Sequence, residues 1–253
     1  MVKEAFEGYK KPSVAIDTVI LRTCDYGEVS KRQVPIKRLQ VLLVKKSSED
    51  KWRLPGTIIR LGETSKTAIS RLFGDESKIN DITFEQLYTV DNNVNRDERG
   101  HIISIVYIGM YNGLKDNIID GYDEMQWFWV TSDREFVDKD TGKIVKTLKY
   151  DHVSIISDTI ARLKGKLLYT DVGFNFVGER FTIRELENTF VAINERQIPG
   201  FRRIIAHKIE GTGIMSDGKA YRPAELYKRA TKENKESKNE TKESENETKE
   251  SEE

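Results

Sequence analysis

The chain of 253 residues contains one cysteine, five prolines and three histidines. A single cysteine, Cys24, excludes an intramolecular disulfide, and it reads as a packing residue rather than a nucleophile. His101 and His152 stand apart from each other and from Cys24, so no zinc-ligand spacing is present. Long apolar runs are also missing. The longest, Ile102 to Tyr111, has ten residues, whereas a membrane-spanning helix needs about 18 or more. Met1 to Pro12 is polar, so no secretory leader and no membrane role are expected, and a cytoplasmic location is.

Neither sign of charge is in excess: 42 Lys and Arg face 42 Asp and Glu. That balance hides an asymmetry. Thr231 to Glu253 holds five Lys and nine Glu, and its sequence Asn-Glu-Thr-Lys-Glu-Ser-Glu occurs twice, at 239–245 and 246–252. The repeat has no apolar position to form a coiled-coil seam. Residues 230–253 are therefore expected to be a disordered acidic tail beside a mildly basic body.

In the body, residues 13–45 read as two strands. Val14, Ile16, Thr18 and Ile20 alternate with Ala15, Asp17 and Val19, and a charged loop, Asp25 to Arg38, leads to Val41–Val44. Ile102–Tyr111 and Met125–Val130 are further strands. Ser65 to Glu76 is a short helix with Ala68, Ile69, Leu72 and Phe73 on one side. Asp151 to Leu167 is an amphipathic helix that Asp151 can cap. Further on, Thr182 and Glu185 form a capping box, with Phe181 and Leu186 as its hydrophobic staple. A second helix opens at Pro199, turns Phe201, Ile204, Ile205 and Ile209 inward, and closes at Gly211. Ile214-Met215 and Leu226-Tyr227 flank the turn dipeptide Asp217-Gly218. Two helices at a short turn followed by a hairpin outline a winged helix-turn-helix.

Trp52-Arg53-Leu54-Pro55-Gly56 leads into a stretch that resembles the Nudix box, Gly-x5-Glu-x7-Arg-Glu-U-x-Glu-Glu-x-Gly-U with U apolar. Glu63 falls on the first Glu, Arg71 on the Arg, and Asp75 and Glu76 on the final acidic pair. Carboxylates on one helix face can hold Mg²⁺ through hard oxygen ligands, and the metal then neutralises a pyrophosphate and activates water. The pattern is broken in three places. Thr57 replaces the first Gly, Leu72 the Glu after Arg, and Lys78 the last Gly. Gly74 inside the helix adds a further cost of about 1 kcal/mol. Taken alone, the box also describes an ordinary solvated surface helix.

Further motifs, in order, resemble the Nudix-related transcriptional regulators of the NrtR type. They are Arg96-Asp97-Glu98-Arg99-Gly100, Tyr150-Asp151-His152, Phe181-Thr182-Ile183-Arg184-Glu185-Leu186, Phe201-Arg202-Arg203 and Arg222-Pro223-Ala224-Glu225-Leu226-Tyr227. The resemblance covers roughly residues 13–229. It implies an α/β, Nudix-fold mixed-sheet sensor at 13–150, a linker helix and connector at 151–174, and a winged helix-turn-helix at 175–229. The implied protein is a homodimeric regulator that binds operator DNA and senses ADP-ribose of NAD metabolism, or a related nucleotide or sugar-nucleotide metabolite.

In that reading the degenerate box has no catalytic set, and no cofactor is required. Mg²⁺ is optional, held at Asp75 and Glu76. The diphosphate-binding candidates are Arg60, Arg71, Arg96 and Arg99, because a guanidinium binds phosphate oxygens in a fork. The residues alone also describe a surface hairpin loop with internal Arg–Asp pairs, and Arg71 paired with Glu63 or Glu76. His152 is expected to tether the linker helix. Trp52, Trp127 and Trp129 are expected in the core rather than under an adenine.

The DNA-contact candidates are Arg202, Arg203 and His207 on the second helix, with Lys219 and Arg222 on the wing. Two rival functions are an active Nudix hydrolase of ADP-ribose or another nucleoside diphosphate derivative, and a nucleotide-binding adaptor whose winged helix serves only dimerisation.

Overall fold

A computed structural model describes residues 11–27, 35–74, 79–217 and 223–230. The chain splits into two compact units, Met1–Cys24 with Arg38–Gly165, and Asp25–Lys37 with Lys166–Glu253.

The first unit is built on a mixed sheet. Its strands are β1 (Ser13–Tyr26), β2 (Ile36–Lys45), β3 (Gly56–Ile58), β4 (Ile82–Val90), β5 (Ile102–Tyr111), β6 (Glu124–Val130), β7 (Phe136–Asp138) and β8 (Ile144–Val145). The order is β4-β5-β1-β2-β6-β7-β8, with β3 also paired to β1. β1 runs parallel to β5, in register from Ser13↔Ile102 to Leu21↔Met110, and antiparallel to β3. The two-residue alternation read in β1 gives way to continuous burial from Ala15 to Thr23. A central strand covered on both faces has no solvent side to alternate with.

Helix α1 (Ser65–Phe73) lays Ala68, Ile69, Leu72 and Phe73 against Ile16, Ile20, Leu42, Val44, Tyr111 and Trp127. Thr64 caps it, with Thr67 completing the box. The helix ends earlier than expected. Gly74 is its C-cap at φ 80°, with its N–H on Ser70 O at 3.1 Å. A left-handed residue there requires glycine, so Gly74 terminates the helix rather than weakening its interior.

Helix α2 (His152–Lys166) buries His152, Ile155, Ile156, Thr159, Ile160 and Leu163. This helix, expected as a connector, clusters with the first unit as far as Gly165. Asp151 precedes it, and both its carboxylate oxygens bind Arg96. No helix among the described residues is long and apolar enough to cross a membrane.

The second unit contains helix α3 (Ile183–Asn194), a short helix α4 (Phe201–Ile205) and a ribbon of β9 (Ile209–Met215) and β10 (Glu225–Arg229). The α3 capping box forms as expected: Glu185 N reaches Thr182 Oγ1 at 3.1 Å, and Thr182 N reaches Glu185 Oε2 at 2.8 Å. Phe181 and Leu186 are buried beside it. Aromatic contacts link Phe174 to Phe181 and Phe190, and Phe190 to Phe201.

The second helix departs from its reading. It starts at Phe201 after left-handed Gly200, passes into a 3-10 turn at Ala206–Lys208, and gives way to β9 at Ile209. Gly211 lies in that strand, where it pairs with Tyr227, rather than at a helix end. The ribbon strands stop at Met215 and resume at Glu225, so their connection is longer than a two-residue turn at Asp217-Gly218. Gly218, Lys219, Arg222 and the tail lie outside the described residues.

Gly173, in the 3-10 turn Val172–Phe176, sits where a Cβ would come within 2.3 Å of Phe190 Cε2. Gly173→Ala is therefore expected to destabilise the second unit by roughly 1–3 kcal/mol through overpacking. A thermal melt of the full chain checks this, and an unchanged midpoint would count against the packing described.

Candidate functional site

A polar cavity of about 350 Å³ opens in the first unit, lined by residues that include Asp17, Arg53, Arg71, Arg96, Arg99 and His152. β1 contributes Asp17 at the point where it pairs with Gly56 of β3. A Cβ on Gly56 would lie 2.7 Å from both Asp17 Oδ1 and Ile16 O, so only glycine lets the two strands approach here.

Arg71, on the last turn of α1, donates from Nε to Glu63 Oε1 at 2.7 Å and from Nη2 to Oε2 at 2.9 Å. It also reaches Thr57 Oγ1 and Ile58 O, each at 3.0 Å. Glu63 accepts a further bond from Arg60 N at 2.8 Å. The Arg71 hydrogen bonds, followed by that backbone bond, hold the Glu63 carboxyl down at about 2. Arg71 thus ties the box together, as one reading of the residues proposed. Thr57, a departure from the pattern, supplies one of its partners. Arg60 bonds Glu63 through its backbone, and its charge, the smallest of the causes, also favours the Glu63 carboxylate; its side chain is exposed and does not line the cavity.

The Arg96 side chain is 4% exposed and pairs bidentately with Asp151, at 3.0 and 2.6 Å, while its Nη2 lies 3.5 Å from Asp17 Oδ2. Burial opposes its charge, but the Asp151 bonds and the Asp17 charge outweigh it and raise its pKa. Arg99 forks onto Asp97 at 2.8 and 2.6 Å, the internal Arg–Asp pair that a hairpin loop allows. That bond raises the pKa of Arg99, and Arg99 in turn holds Asp97 low against its burial.

His152 is buried at the start of α2. Leu54 N donates to its Nδ1 at 2.9 Å, which leaves Nε2 as the protonated nitrogen, 3.7 Å from Asp17 Oδ1. Burial pushes its pKa below the ordinary value of 6.5. The ring ties α2 to the segment before β3, which is the tethering role expected of it. Trp127 is buried under Arg22, and none of the three tryptophans lines the cavity.

The described donors do not suit Mg²⁺. Leu72 is 8% exposed and belongs to the core, and both Glu63 oxygens are held by Arg71. Asp75, Glu76 and Lys78 lie outside the described residues. Among the described residues no group of three or more His, Cys, Asp or Glu could hold a metal ion.

Asp17, Arg53, Tyr122 and Tyr150 also line the cavity and were not among the residues expected there. The sequence marked Arg53 only as part of the lead-in to the box. What brings it to the cavity is a backbone pairing with Val44, which no local pattern shows.

In the second unit, Arg202, Arg203 and His207 are exposed, while Phe201 and Ile205 are buried and Ile204 is half-buried. Not every basic group there faces solvent. Lys208 is buried, donating to Thr170 O at 2.7 Å and pairing with Asp171, which also binds Arg229 at 2.8 Å.

Buried neutral His152 gives a pH dependence. Its folded pKa lies below its unfolded one, so below about pH 6.5 the unfolded chain takes up a proton that the folded chain refuses. Stability should fall as pH drops from 6.5, with a slope of up to about 1.4 kcal/mol per pH unit. His152→Gln should remove that component from a series of unfolding curves between pH 7.5 and 5. A wild-type and variant pair with the same slope would show that His152 does not carry it.

Residues 173–228 match the model of the NrtR DNA-binding winged helix domain. A curated relative, the ADPR responsive transcriptional repressor NtrR of Acinetobacter baylyi, is 25% identical over 231 residues, spanning 88% of this chain and 84% of the relative. Among solved structures, a MutT/nudix family protein from Enterococcus faecalis superposes with a TM-score of 0.62 at 23% identity, covering 88% of this chain and 90% of that one. Shewanella oneidensis NrtR complexed with a 27mer DNA gives 0.62 at 24% identity, covering 86% and 93%. At these identities the two structures speak for the fold.

Proposed function

We propose that this chain, a Nudix fold followed by an NrtR-type winged helix, is an NrtR-like transcriptional repressor whose operator affinity is set by ADP-ribose or a related nucleotide. The observation that carries this reading is the order of the two parts on one chain: an arginine-lined cavity in the first unit, then the match to the NrtR DNA-binding domain over residues 173–228. The Acinetobacter baylyi relative, named as ADPR responsive, supports ADP-ribose as the effector. Activity in the cytoplasm, where DNA and the nucleotide meet, goes with the same reading.

We assign DNA contact to exposed Arg202, Arg203 and His207, on the short helix and the turn that follow the left-handed Gly200. Lys219 and Arg222 belong to the same proposal as backbone contacts of the wing. A homodimer on a pseudo-palindromic operator is the symmetric solution for such a module. The effector must bind two arrangements of that dimer with different affinity, and operator DNA must then change effector affinity by the same factor.

The test is a mobility-shift titration on the DNA upstream of this gene, with and without ADP-ribose. Arg202→Ala/Arg203→Ala should weaken binding, at about 1–3 kcal/mol for each arginine that reads a base. Equal affinity of the two proteins would remove these arginines from the interface. Operator affinity unmoved by any nucleotide would remove the regulatory claim.

Hydrolysis is the competing reading. With Leu72 in the core and Glu63 locked to Arg71, turnover of ADP-ribose in Mg²⁺ should fall far below about 1 per second, the lower end of ordinary enzyme rates. Sustained release of AMP and ribose 5-phosphate at such rates would establish the hydrolase instead.

A further inference from the structure

Four arginines line the cavity, and their donors separate them. Arg71 has Nε, Nη1 and Nη2 all engaged, on Glu63, Thr57 and Ile58. Arg96 is enclosed, with Nε and Nη2 closed on Asp151 and Asp17. Arg99 has its fork occupied by Asp97 and its side chain 58% exposed.

Arg53 is different. Only Nε is used, donating to Glu49 Oε2 at 3.0 Å, and neither Nη1 nor Nη2 has a hydrogen-bond partner among the described residues. Its side chain is nevertheless 15% exposed.

That fork is held in place before any ligand arrives. The Arg53 backbone bonds Val44 in both directions at 2.9 Å. Its guanidinium carbon lies 5.0 Å from the centre of the Tyr122 ring, and the Tyr122 hydroxyl donates to Gly56 O at 3.1 Å. Glu49 is fixed in turn by Lys149 Nζ at 3.2 Å and Lys46 N at 3.2 Å.

The charges point the same way. Glu63 meets one arginine, Asp97 meets one arginine, and Arg96 faces two carboxylates. Among the carboxylates that pair with these four arginines, Glu49 alone is ion-paired with two cations, Arg53 and Lys149; besides Glu49, Lys149 has Glu98 at 3.9 Å, and that Glu98 side chain is 77% exposed. Of the four arginines, Arg53 thus combines open terminal donors, a fixed plane and an incompletely balanced charge.

We propose that Arg53 is the principal anion-binding side chain of the cavity, its two terminal nitrogens taking the oxygens of a phosphate group, with Glu49 and Tyr122 as positioning residues. A planar fork offering parallel N–H donors fits a phosphate edge, and the sheltered setting strengthens the bonds. The proposal rests on reading this cavity as the effector site.

The test is calorimetric titration of the full chain with ADP-ribose, comparing wild type, Arg53→Gln, Arg53→Lys and Arg99→Ala, with a thermal melt of each. Charge-assisted hydrogen bonds contribute about 1.5–3 kcal/mol, so Arg53→Gln should weaken binding about 10- to 100-fold with its melting midpoint kept. Arg53→Lys should recover only part of the loss, because an ammonium lacks the fork. Arg99→Ala should lose less than Arg53→Gln. Inorganic pyrophosphate should displace ADP-ribose from wild type and fail to do so from Arg53→Gln.

Binding by Arg53→Gln within twofold of wild type overturns the assignment, as does a larger loss in Arg99→Ala, and either leaves the effector reading standing. Failure of the wild type to bind ADP-ribose, ADP or ribose 5-phosphate overturns both. If Arg53→Gln does not fold, Arg53→Lys decides: affinity equal to wild type refutes the fork, and a loss supports it.

Discussion

A buried carboxylate on the central strand sets the terms for everything around the cavity. Asp17 is 8% exposed in a strand whose other neighbours are largely apolar. A buried charge is tolerated only when paired and hydrogen-bonded, and stripping its partner from such a pair costs roughly 3–5 kcal/mol. Asp17 meets that demand with Arg96 on one oxygen and the Nε2 of His152 facing the other. Each partner arrives from a different segment: Arg96 from the loop between β4 and β5, His152 from the first turn of α2. Gly56 must stay bare for the same carboxylate to fit. One acid thus determines where β3, that loop and α2 sit relative to β1.

The same knot joins the cavity to α2. Arg96 lines the cavity, yet its strongest partner is Asp151, immediately before the helix. Farther along, Arg162 lies 4.7 Å from the centre of the Tyr88 ring, and burial, with the nearby Asp158 charge, pushes the Tyr88 hydroxyl up to about 12. That hydroxyl is the one buried side-chain polar atom with no partner among the described residues. An anion drawn to the cavity competes with Asp151 and Asp17 for the charge on Arg96. A ligand shifts an equilibrium only through differential interaction with its two states. The Arg96–Asp151 pair, immediately before the helix, is where such a difference would act.

Much of this was legible because it is local. The capping box at Thr182 and Glu185, the strands Ile102–Tyr111 and Met125–Val130, and the apolar side of α1 all follow from residues a few positions apart. The pairing of Arg71 with Glu63 was one of the options that their spacing allowed. What was not legible depends on partners far away in sequence. Gly74 reads as a defect in a helix until its left-handed φ shows it to be the stop. The stretch from Phe201 to Gly211 has helical spacing throughout, but pairing with Glu225–Arg229 draws Ile209 onward into a strand. Arg53 looks like part of a lead-in until its pairing with Val44 and its stacking on Tyr122 bring it to the cavity. Arg60 was favoured by its place in the motif, and its exposure leaves it outside.

The departures from the Nudix pattern also fit one another physically. Where the pattern has a carboxylate, Leu72 packs with Ala68, Ile69 and Phe73, and burying a leucine contributes about 1.5–3 kcal/mol. Where it has glycine, Thr57 offers Arg71 a hydroxyl. With no carboxylate beside it on the helix, Glu63 is free to close fully on Arg71, which fixes the segment from Thr57 to Glu63 against α1. Leu72 and Thr57 thus stiffen the wall of the cavity. Phosphate recognition by a preset fork needs such stiffness and needs no water-activating base. For the proposed regulator, binding without cleavage would keep the effector's signal reversible.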